Sequence, residues 1–255
     1  ALERRNLILE KLQEEKKVVV SELSQQFGVS EETIRRDLEK LEKEGLATKS
    51  YGGAVLNEST SIDMPFNVRK KANVSGKQKI AEIVASLIHD GDHIILDASS
   101  TAVFIAKAIK DKENLTVITN SIEIIIELSD VSDWNIICSG GSLKEGYLAL
   151  VGPMTAGGLE CFNADKAIFS CKGIHMEKGV TDGNELFSQA KQVMMKSARE
   201  SILTADSTKF DKIAFSRLCD AGAMSTVVTD KRPDEKWIRF FEDNHIRCLY
   251  PGAKE

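Results

Sequence analysis

The chain has 255 residues, of which 42% are hydrophobic and 29% charged, and its formal net charge at pH 7 is −5. This composition is ordinary for a soluble globular protein with a real core, and the charge by itself does not point to nucleic acid. No apolar run approaches the roughly 20 residues needed to cross a bilayer, and the charged N-terminal stretch is unlike a signal peptide. A membrane-spanning or secreted protein is therefore not expected.

The cysteines favour a cytoplasmic location. Their number is odd and no CxxC pair occurs, which argues against a disulfide framework. Several fall within apolar runs such as Ile136-Ile137-Cys138, so we predict buried, reduced thiols. The five positions are Cys138, Cys161, Cys171, Cys219 and Cys248.

The first 57 residues predict three helices followed by two short strands. Ser21 and Ser30 are the expected N-caps of the second and third helices, and Gly28 supplies the turn between them. Strands over 46–50 and 54–56 flank a predicted hairpin turn. Three residues of the third helix have the i, i+4, i+7 spacing of a buried face: Ile34, Leu38 and Leu41.

Two helices at a sharp turn, the second with exposed cations, indicate a helix-turn-helix that reads the DNA major groove. Arg suits guanine, Lys suits phosphate, and the hairpin would touch the adjacent backbone as a wing. The alternative is that these cations only pair with neighbouring glutamates, since residues 1–57 hold ten Lys/Arg and eleven Asp/Glu. The expected DNA contacts are Ser30, Thr33, Arg35, Arg36, Lys40, Lys49 and Tyr51.

Residues 58–74 are polar and have no clear period, so we predict a linker between a domain over 1–57 and another over 75–255. Beyond the linker, strands alternate with helices, which predicts the α/β class with a three-layer, mainly parallel sheet. The predicted strands are 93–97, 116–119, 134–139, 166–170, 201–205, 226–229 and 246–249. The predicted helices include 79–88, 101–110, 122–128 and 185–199.

Polar residues follow three of these strands, at the end where parallel sheets bind ligands. After the first strand, hydroxyls at the start of a helix would cradle a phosphate, although plain N-capping by Ser99 or Ser100 explains them equally well. After the third strand, glycines would let the backbone approach a ligand closely. We predict a small, polyhydroxylated, anionic ligand at Asp97, Ser99, Ser100, Thr101, Thr119, Asn120, Ser121, Gly140 and Gly141.

Later strand ends add charged candidates. Lys172 follows one strand, and Asp206 with Lys209 follows another. Each lysine could neutralise a phosphate or be an ordinary surface residue. His89 and His93 are separated by a predicted turn, so we expect no metal site. Nucleotide-binding and hydrolase motifs are absent, and no cofactor or catalytic residue is expected.

The N-terminal motif resembles the winged helix of the DeoR family of bacterial repressors. The resemblance rests on Val29-Ser30-x-x-Thr33-Ile34-Arg35-Arg36-Asp37-Leu38, followed by Leu41, Gly45 and the Gly-Gly-Ala of the hairpin. It implies binding to double-stranded operator DNA. Tyr51 departs from the pattern, because relatives usually carry His before the two glycines.

The remainder resembles the DeoR-family effector domain, whose fold is similar to ribose-5-phosphate isomerase. The family implies a phosphorylated sugar or a glycolytic intermediate as inducer, with repression relieved when it binds. Leu186-Phe187, with Glu185 one place earlier, stands where relatives often carry an acidic pair. The matching pieces are Lys77-x-x-Ile80-Ala81, Asp97-x-Ser99-Ser100-Thr101, Thr119-Asn120-Ser121, Gly140-Gly141, Gly173-Ile174, Gly179-Val180-Thr181 and Asp206-x-x-Lys209-Phe210.

We therefore expect a sequence-specific repressor of a sugar-metabolism operon, released by a phosphorylated sugar. A homodimer or homotetramer is expected, because paired half-sites supply affinity and symmetry. One alternative is an active sugar-phosphate isomerase with an added DNA-binding domain, which would need a carboxylate base. The acidic candidates Asp97, Asp182, Glu185 and Asp206 form no defensible motif. A further alternative is constitutive DNA binding with a body that serves only for assembly.

Overall fold

A computed structural model describes residues 2–43, 46–56 and 65–253. The chain divides into two compact units, residues 1–72 and 73–255, which we call the head and the body. The head contains α1 (Leu2–Glu15), β1 (Lys17–Val19), α2 (Val20–Phe27), α3 (Glu31–Lys43), β2 (Ala47–Ser50), β3 (Gly53–Leu56) and α4 (Phe66–Lys71).

The head is a helix-turn-helix with a small antiparallel sheet. The predicted inward face of α3 is confirmed, because Ile34, Leu38 and Leu41 are all buried in the core of the head. Strand β3 pairs with β1 on one side and with β2 on the other, and Ser50 faces Gly53 across a two-residue turn. The predicted hairpin is therefore confirmed, and it forms the wing.

The starts of α2 and α3 are stabilised differently. Ser30 caps α3 as predicted, since the Thr33 N–H donates to Ser30 Oγ at 3.3 Å. The predicted Ser21 cap is wrong. Helix α2 begins at Val20, whose N–H donates to the Gly52 carbonyl at 2.8 Å. The wing, rather than a serine, therefore satisfies the first amide of α2.

The region predicted as a linker is partly helical. Residues 58–64 lie outside the described residues, but residues 66–71 form α4. Val68 of α4 is buried in the same core as Ile8 and Leu12 of α1, and Lys71 pairs with Glu10 at 2.7 Å. Apolar residues give this segment a buried face, so the compact head ends at residue 72.

The body is built on one sheet of seven strands, which confirms the seven predicted strands apart from their bounds. The order across the sheet is β15-β14-β12-β9-β4-β5-β6, and every neighbouring pair is parallel. The strands are β4 (His93–Leu96), β5 (Thr116–Thr119), β6 (Asn135–Cys138), β9 (Ala164–Ser170), β12 (Ala198–Thr204), β14 (Thr226–Val228) and β15 (Arg247–Leu249).

Helices cover both faces of this sheet, as the three-layer prediction requires. Helices α5 (Val74–Leu87), α6 (Ser100–Ala108) and α7 (Ile122–Leu128) pack side by side. Helices α8 (Pro153–Glu160) and α9 (Glu185–Lys196) pack on the face that carries Ile95, Ile118 and Ala167. Helix α10 lies in a cluster with β9, β12 and β14 side chains. No helix among the described residues is long and apolar enough to cross a membrane. The helices are α5 (Val74–Leu87), α6 (Ser100–Ala108), α7 (Ile122–Leu128), α8 (Pro153–Glu160), α9 (Glu185–Lys196) and α10 (Glu235–Asp243).

Several small elements were not predicted from the sequence. A hairpin joins β7 (Ser142–Lys144) to β8 (Ala149–Val151), and a second sheet contains β10 (Gly173–His175), β11 (Gly179–Asp182) and β13 (Ser216–Cys219). The outer edge of β13 is covered by α9, because Gln192 Nε2 donates to the Leu218 carbonyl at 2.8 Å. The helix predicted over 185–199 ends at Lys196, because Ala198 already pairs in the main sheet.

The cysteine prediction is correct for one residue and wrong for two. Cys171 is buried, whereas Cys138 and Cys161 are exposed, and Cys219 and Cys248 are half-buried. Cys138 is exposed because β6 is an edge strand of the sheet, which the apolar run around it does not reveal. Burial raises the pKa of the Cys171, Cys219 and Cys248 thiols to about 12.

Candidate functional site

The exposed face of α3 carries the predicted DNA-reading cations. Arg35, Arg36 and Lys40 are all exposed. Both arginines form i,i+4 ion pairs, since Arg35 lies 2.6 Å from Glu31 and Arg36 lies 3.2 Å from Glu32. The arginine–glutamate pairs that the sequence offered as the alternative to DNA contacts are therefore present. Such exposed pairs are weak, so they leave the arginines able to rearrange.

The remaining predicted DNA contacts lie at the start of α3 and on the wing. Ser30 Oγ and Thr33 Oγ1 are 2.9 Å apart at the N-terminus of α3. Lys49 lies on β2, where its Nζ is 3.1 Å from Glu39 Oε1. Tyr51 is fully exposed at the wing turn. All seven predicted residues thus belong to the head.

An unforeseen ion pair fixes the recognition helix. Arg4 Nε of α1 lies 2.6 Å from Asp37 Oδ2 of α3, and the Asp37 side chain is almost entirely buried. Breaking a buried pair by removing one partner leaves an uncompensated charge, so the contact holds α1 and α3 together. The sequence signal was Asp37 itself, a carboxylate beside the apolar face of α3.

The body has a topological switch point between β4 and β9. From β4 the chain continues through α6 to β5 on one side, whereas from β9 it continues through α9 to β12 on the other side. The two connections therefore diverge and leave a crevice at the carboxyl ends of β4 and β9, where ligands of open α/β sheets bind. The loops carrying Asp97 and Lys172 follow these two strands directly.

The N-terminus of α6 borders this crevice. Ser99 caps the helix, because its Oγ accepts the Ala102 N–H at 3.1 Å, as the N-cap alternative supposed. The hydroxyls of Ser100 and Thr101, within the first turn, make no hydrogen bond to any described residue. Unused hydroxyls and first-turn N–H groups are the donors that a phosphate needs.

A buried ionic network lies at the carboxyl ends of β4 and β9. Lys191 Nζ on α9 lies 2.5 Å from Asp182 Oδ2, 3.2 Å from Asp97 Oδ2 and 2.7 Å from the Ser170 carbonyl. These three acceptors match the three donors of an ammonium group. Asp97 also accepts the N–H groups of Ser99 and Ser170. The network therefore joins the loop after β4, the last residue of β9 and the last residue of β11 to α9.

The network holds Lys191 and Asp182 in the charged state. Burial alone would lower the pKa of Lys191, but Asp182 and Asp97 outweigh it and raise that pKa. Burial alone would raise the pKa of Asp182, but Lys191, the Gly183 N–H and Lys172 lower it. The carboxylates of Asp97 and Asp182 are thus already bound to protein groups.

Lys172 and Lys209 add positive charge beside the network. Burial, with Lys209 and Lys191 nearby, lowers the pKa of Lys172 to about 8, although Asp182 opposes this shift. Asp206 lies at the end of β12, and burial would raise its pKa, but Lys209, hydrogen bonds from Thr208 and the charge of Lys77 lower it. Lys172 and Lys209 therefore both lie near the carboxyl ends of β9 and β12.

The polar loop after β5 is largely occupied by internal contacts. Thr119 Oγ1 donates to the Leu96 carbonyl, and Ser121 Oγ caps α7 through the Ile124 N–H. Asn120 Nδ2 donates to the Leu150 carbonyl at 2.9 Å. Its buried Oδ1 has no partner among the described residues. Of these three residues, Asn120 alone has a buried side-chain atom with no hydrogen-bond partner within the described part of the chain.

The two glycines after β6 differ in their surroundings. A Cβ on Gly141 would lie 2.0 Å from Thr155 Oγ1, and its φ is +118°. Gly140 has open space around it but a φ of +73°. The predicted close approach at Gly141 is thus made by α8 of the protein itself.

The position where relatives often carry an acidic pair is apolar and structural. Phe187 is buried with Ala149 and Val151 of the β8 region, and its ring centroid lies 4.9 Å from that of Tyr147. Glu185 is exposed. The nearest acidic residue bound into the site is instead Asp182.

Sequence reasoning missed Lys191 and Lys77 as site residues. Both are buried, and Lys191 shares the buried face of α9 with Phe187 and Met194. A lysine on an otherwise apolar helix stripe was the available signal, since buried lysines are rare unless paired.

Solved structures resemble parts of this chain only distantly. Ribose 5-phosphate isomerase A of Methanocaldococcus jannaschii aligns with a TM-score of 0.39 and 15% identity, over 52% of this chain and 53% of that one. The eIF2B delta of Chaetomium thermophilum gives a TM-score of 0.45 and 16% identity, over 61% and 55%. The alignments thus span about half of those chains.

Family comparisons match both units. The family described as the DeoR-like helix-turn-helix domain matches residues 4–60, and the DeoR C terminal sensor domain matches residues 72–231. The matched ranges include the predicted DNA-contact residues and the crevice between β4 and β9.

This chain aligns over nearly its whole length with proteins that are named as transcription regulators. The uncharacterized HTH-type transcriptional regulator YulB of Bacillus subtilis (strain 168) is 40% identical over 245 residues, covering 96% of this chain and 95% of YulB. The L-fucose operon activator of Haemophilus influenzae is 34% identical, covering 96% and 98%. The HTH-type transcriptional repressor GlcR of Bacillus subtilis (strain 168) is 32% identical, covering 99% and 97%. The chain therefore belongs to the DeoR family of helix-turn-helix transcription regulators.

Proposed function

We propose that this chain is a cytoplasmic repressor of a sugar-metabolism operon, which a phosphorylated sugar releases from its operator DNA. The observation that carries the proposal is the first turn of α6. There, Ser100 and Thr101 lie in the helical turn that follows β4, next to the switch point, and their hydroxyls have no hydrogen-bond partner among the described residues. In a family of sensor-bearing regulators, an anion cradle of this kind is a reason to expect a small anionic effector.

The width of the sheet is our reason for proposing that only some of the predicted effector-binding residues contact the ligand. The ends of β12, β9, β4, β5 and β6 are separated by four strand spacings of about 4.8 Å, or roughly 19 Å in all. A monosaccharide phosphate is shorter than this, so it touches only some of the five strand ends. We place the phosphate at Ser100 and Thr101, with Lys172 and Lys209 nearby, and leave Gly140 and Gly141 outside the contact set.

The mechanism is a population shift. A ligand at the crevice bridges the loops after β4 and β9, beside the network in which Asp97 and Asp182 are already joined to Lys191 of α9. Ligand binding favours one arrangement of the body only to the extent that it binds that arrangement more tightly. In a homodimer or homotetramer, such a shift changes the spacing of two heads and so their joint fit to paired half-sites.

The carboxylates of the crevice support regulation rather than isomerisation. An aldose–ketose isomerase needs a carboxylate free to take a proton at C1–C2. Asp97 and Asp182 instead share the Lys191 ammonium, and Glu185 is exposed on α9. The names of the similar proteins are those of regulators, including both a repressor and activators.

A thermal-shift screen against pentose and hexose phosphates, with free sugars and inorganic phosphate as controls, tests the effector. Both tryptophans, Trp134 and Trp237, lie in the body, so their fluorescence reports its unfolding alone. A sugar phosphate that stabilises the body should also weaken a gel-shift complex with the region upstream of the chain's own gene. A sequence-specific complex that no sugar phosphate weakens would contradict the release mechanism, and the absence of any such complex would contradict the repressor.

A further inference from the structure

The wing lysine of the head, Lys49, is held by carboxylates of α3. Lys49 Nζ lies 3.1 Å from Glu39 Oε1 and 3.6 Å from Glu42 Oε2. Glu42 also accepts the Lys49 backbone N–H at 3.0 Å, which sets the position of β2 against α3. Lys49 and Glu39 are each about half exposed (46% and 50%), so the pair is open to solvent and to a passing phosphate.

Electrostatics agree with this geometry. A hydrogen bond from Lys49 and its charge lower the pKa of Glu39, and the hydrogen bond to Glu39 raises the pKa of Lys49. The pair therefore stays ionised throughout the physiological pH range. With Arg35 and Arg36 also paired to glutamates, three cations of the DNA-facing surface carry a carboxylate beside them.

These pairs bear on how the head binds DNA. Sequence-independent affinity comes from lysines and arginines that neutralise phosphates and release counterions. To reach a phosphate, Lys49 must leave Glu39, whose carboxylate then loses its hydrogen-bonded ammonium partner and keeps only the more distant charges of Lys43 and Arg36. The free-energy cost of separating Lys49 from Glu39 applies on DNA of any sequence, whereas base contacts form only on the operator sequence.

We propose that Glu39 and Glu42 compete with DNA phosphates for Lys49 and thereby limit sequence-independent attachment of the head. This inference rests on the proposed DNA-binding function. The carboxylates make the regulator depend on base contacts and on paired heads, because the wing contributes less than an unpaired lysine would. Glu39 binds the Lys49 ammonium group, and Glu42 also accepts the Lys49 backbone N–H.

The test is to measure how tightly the full chain binds a 30-base-pair DNA duplex of random sequence. Fluorescence anisotropy reports the binding at a series of KCl concentrations. Glu39→Gln should tighten binding about two- to fivefold at 0.1 M KCl, the range that an exposed pair is worth. The slope of log affinity against log salt should steepen by up to about 0.9, one phosphate contact. Glu42→Gln should act in the same direction while keeping its backbone bond through the amide oxygen.

The matched control is Glu22→Gln, which changes the charge of the head by the same amount. Glu22 is exposed on α2 and is in no ion pair within the described ranges. Lys49→Gln supplies the second control, because it should remove the gain of Glu39→Gln when the two are combined. Unfolding temperatures of all variants verify that the head remains folded.

Two results would overturn the inference. One is equal tightening by Glu39→Gln and Glu22→Gln, which would reduce the effect to net charge. The other is a gain from Glu39→Gln that persists in the Lys49→Gln background. If neither the wild type nor any variant binds any duplex, the proposed DNA-binding function fails, and the inference fails with it.

Discussion

A Lys191→Met substitution removes the ammonium that Asp97 and Asp182 share in the body. The methionine keeps the unbranched chain as far as Cε, but it removes the ammonium donor from two buried carboxylates and the Ser170 carbonyl. Removing one partner of a buried pair costs about 3–5 kcal/mol. For a body of this size the loss corresponds to a fall in Tm of roughly 6–20 °C.

The assay is thermal and urea unfolding followed by tryptophan fluorescence, which reports the body alone because Trp134 and Trp237 both lie there. Lys196→Met is the matched control, since Lys196 is exposed on the same helix and in no ion pair among the described residues. A loss below about 1 kcal/mol, or one equal to that of Lys196→Met, would refute the reasoning.

The pH dependence gives a second check on the same variant. In the wild type the pKa of Asp182 is lowered, so its contribution is present above the unfolded pKa near 4 and is lost as the pH falls through the folded pKa. Without Lys191, burial favours the protonated acid instead. The stability gap between Lys191→Met and the wild type should therefore narrow as the pH is lowered from 7 toward 5, and a constant gap would contradict the charged network.

Three further predictions concern the crevice and its surroundings. Thr101→Val should abolish stabilisation of the body by inorganic phosphate or sugar phosphates while leaving the unliganded Tm nearly unchanged, and retained stabilisation would remove α6 from the site. Since the pKa of Lys172 is lowered to about 8, its ammonium form predominates below that pH. An anion raises this pKa, so phosphate affinity measured calorimetrically should fall as the pH rises above 8 in the wild type and stay flat in Lys172→Met. Gly141→Ala should destabilise the body by about 1–3 kcal/mol in urea unfolding, because the new Cβ meets Thr155 and the backbone has a positive φ. Gly140→Ala, whose new Cβ would lie in open space, should destabilise the body less. Equal losses of stability in the two variants would mean that Thr155 moves aside for the new Cβ at little cost.

Much of this protein could be predicted because its signals are local. The buried face of α3, the Ser30 cap and the hairpin turn follow from helical spacing and turn chemistry within a few residues. The seven strands of the body were likewise visible as short apolar runs. Ser21 failed as a cap because the first amide of α2 is satisfied by Gly52, which lies far away in the sequence.

The candidate site was predicted only in part. Strand–helix alternation correctly brings the polar strand ends to one edge, since parallel strands share their direction. It does not say which ends are adjacent, or that Ser99, Thr119 and Ser121 are already occupied by caps and internal hydrogen bonds.

The sequence alone determined the family, the two kinds of domain and the run of polar strand ends. Only the tertiary structure decided that β4 and β9 are neighbours, that the switch point lies between them, and that Lys191 joins Asp97 to Asp182. The physical reason is distance along the chain. Local periodicity specifies each strand, but strand order and the Asp97–Lys191 ion pair depend on contacts between residues that are scores of positions apart, which form only when the whole sheet assembles.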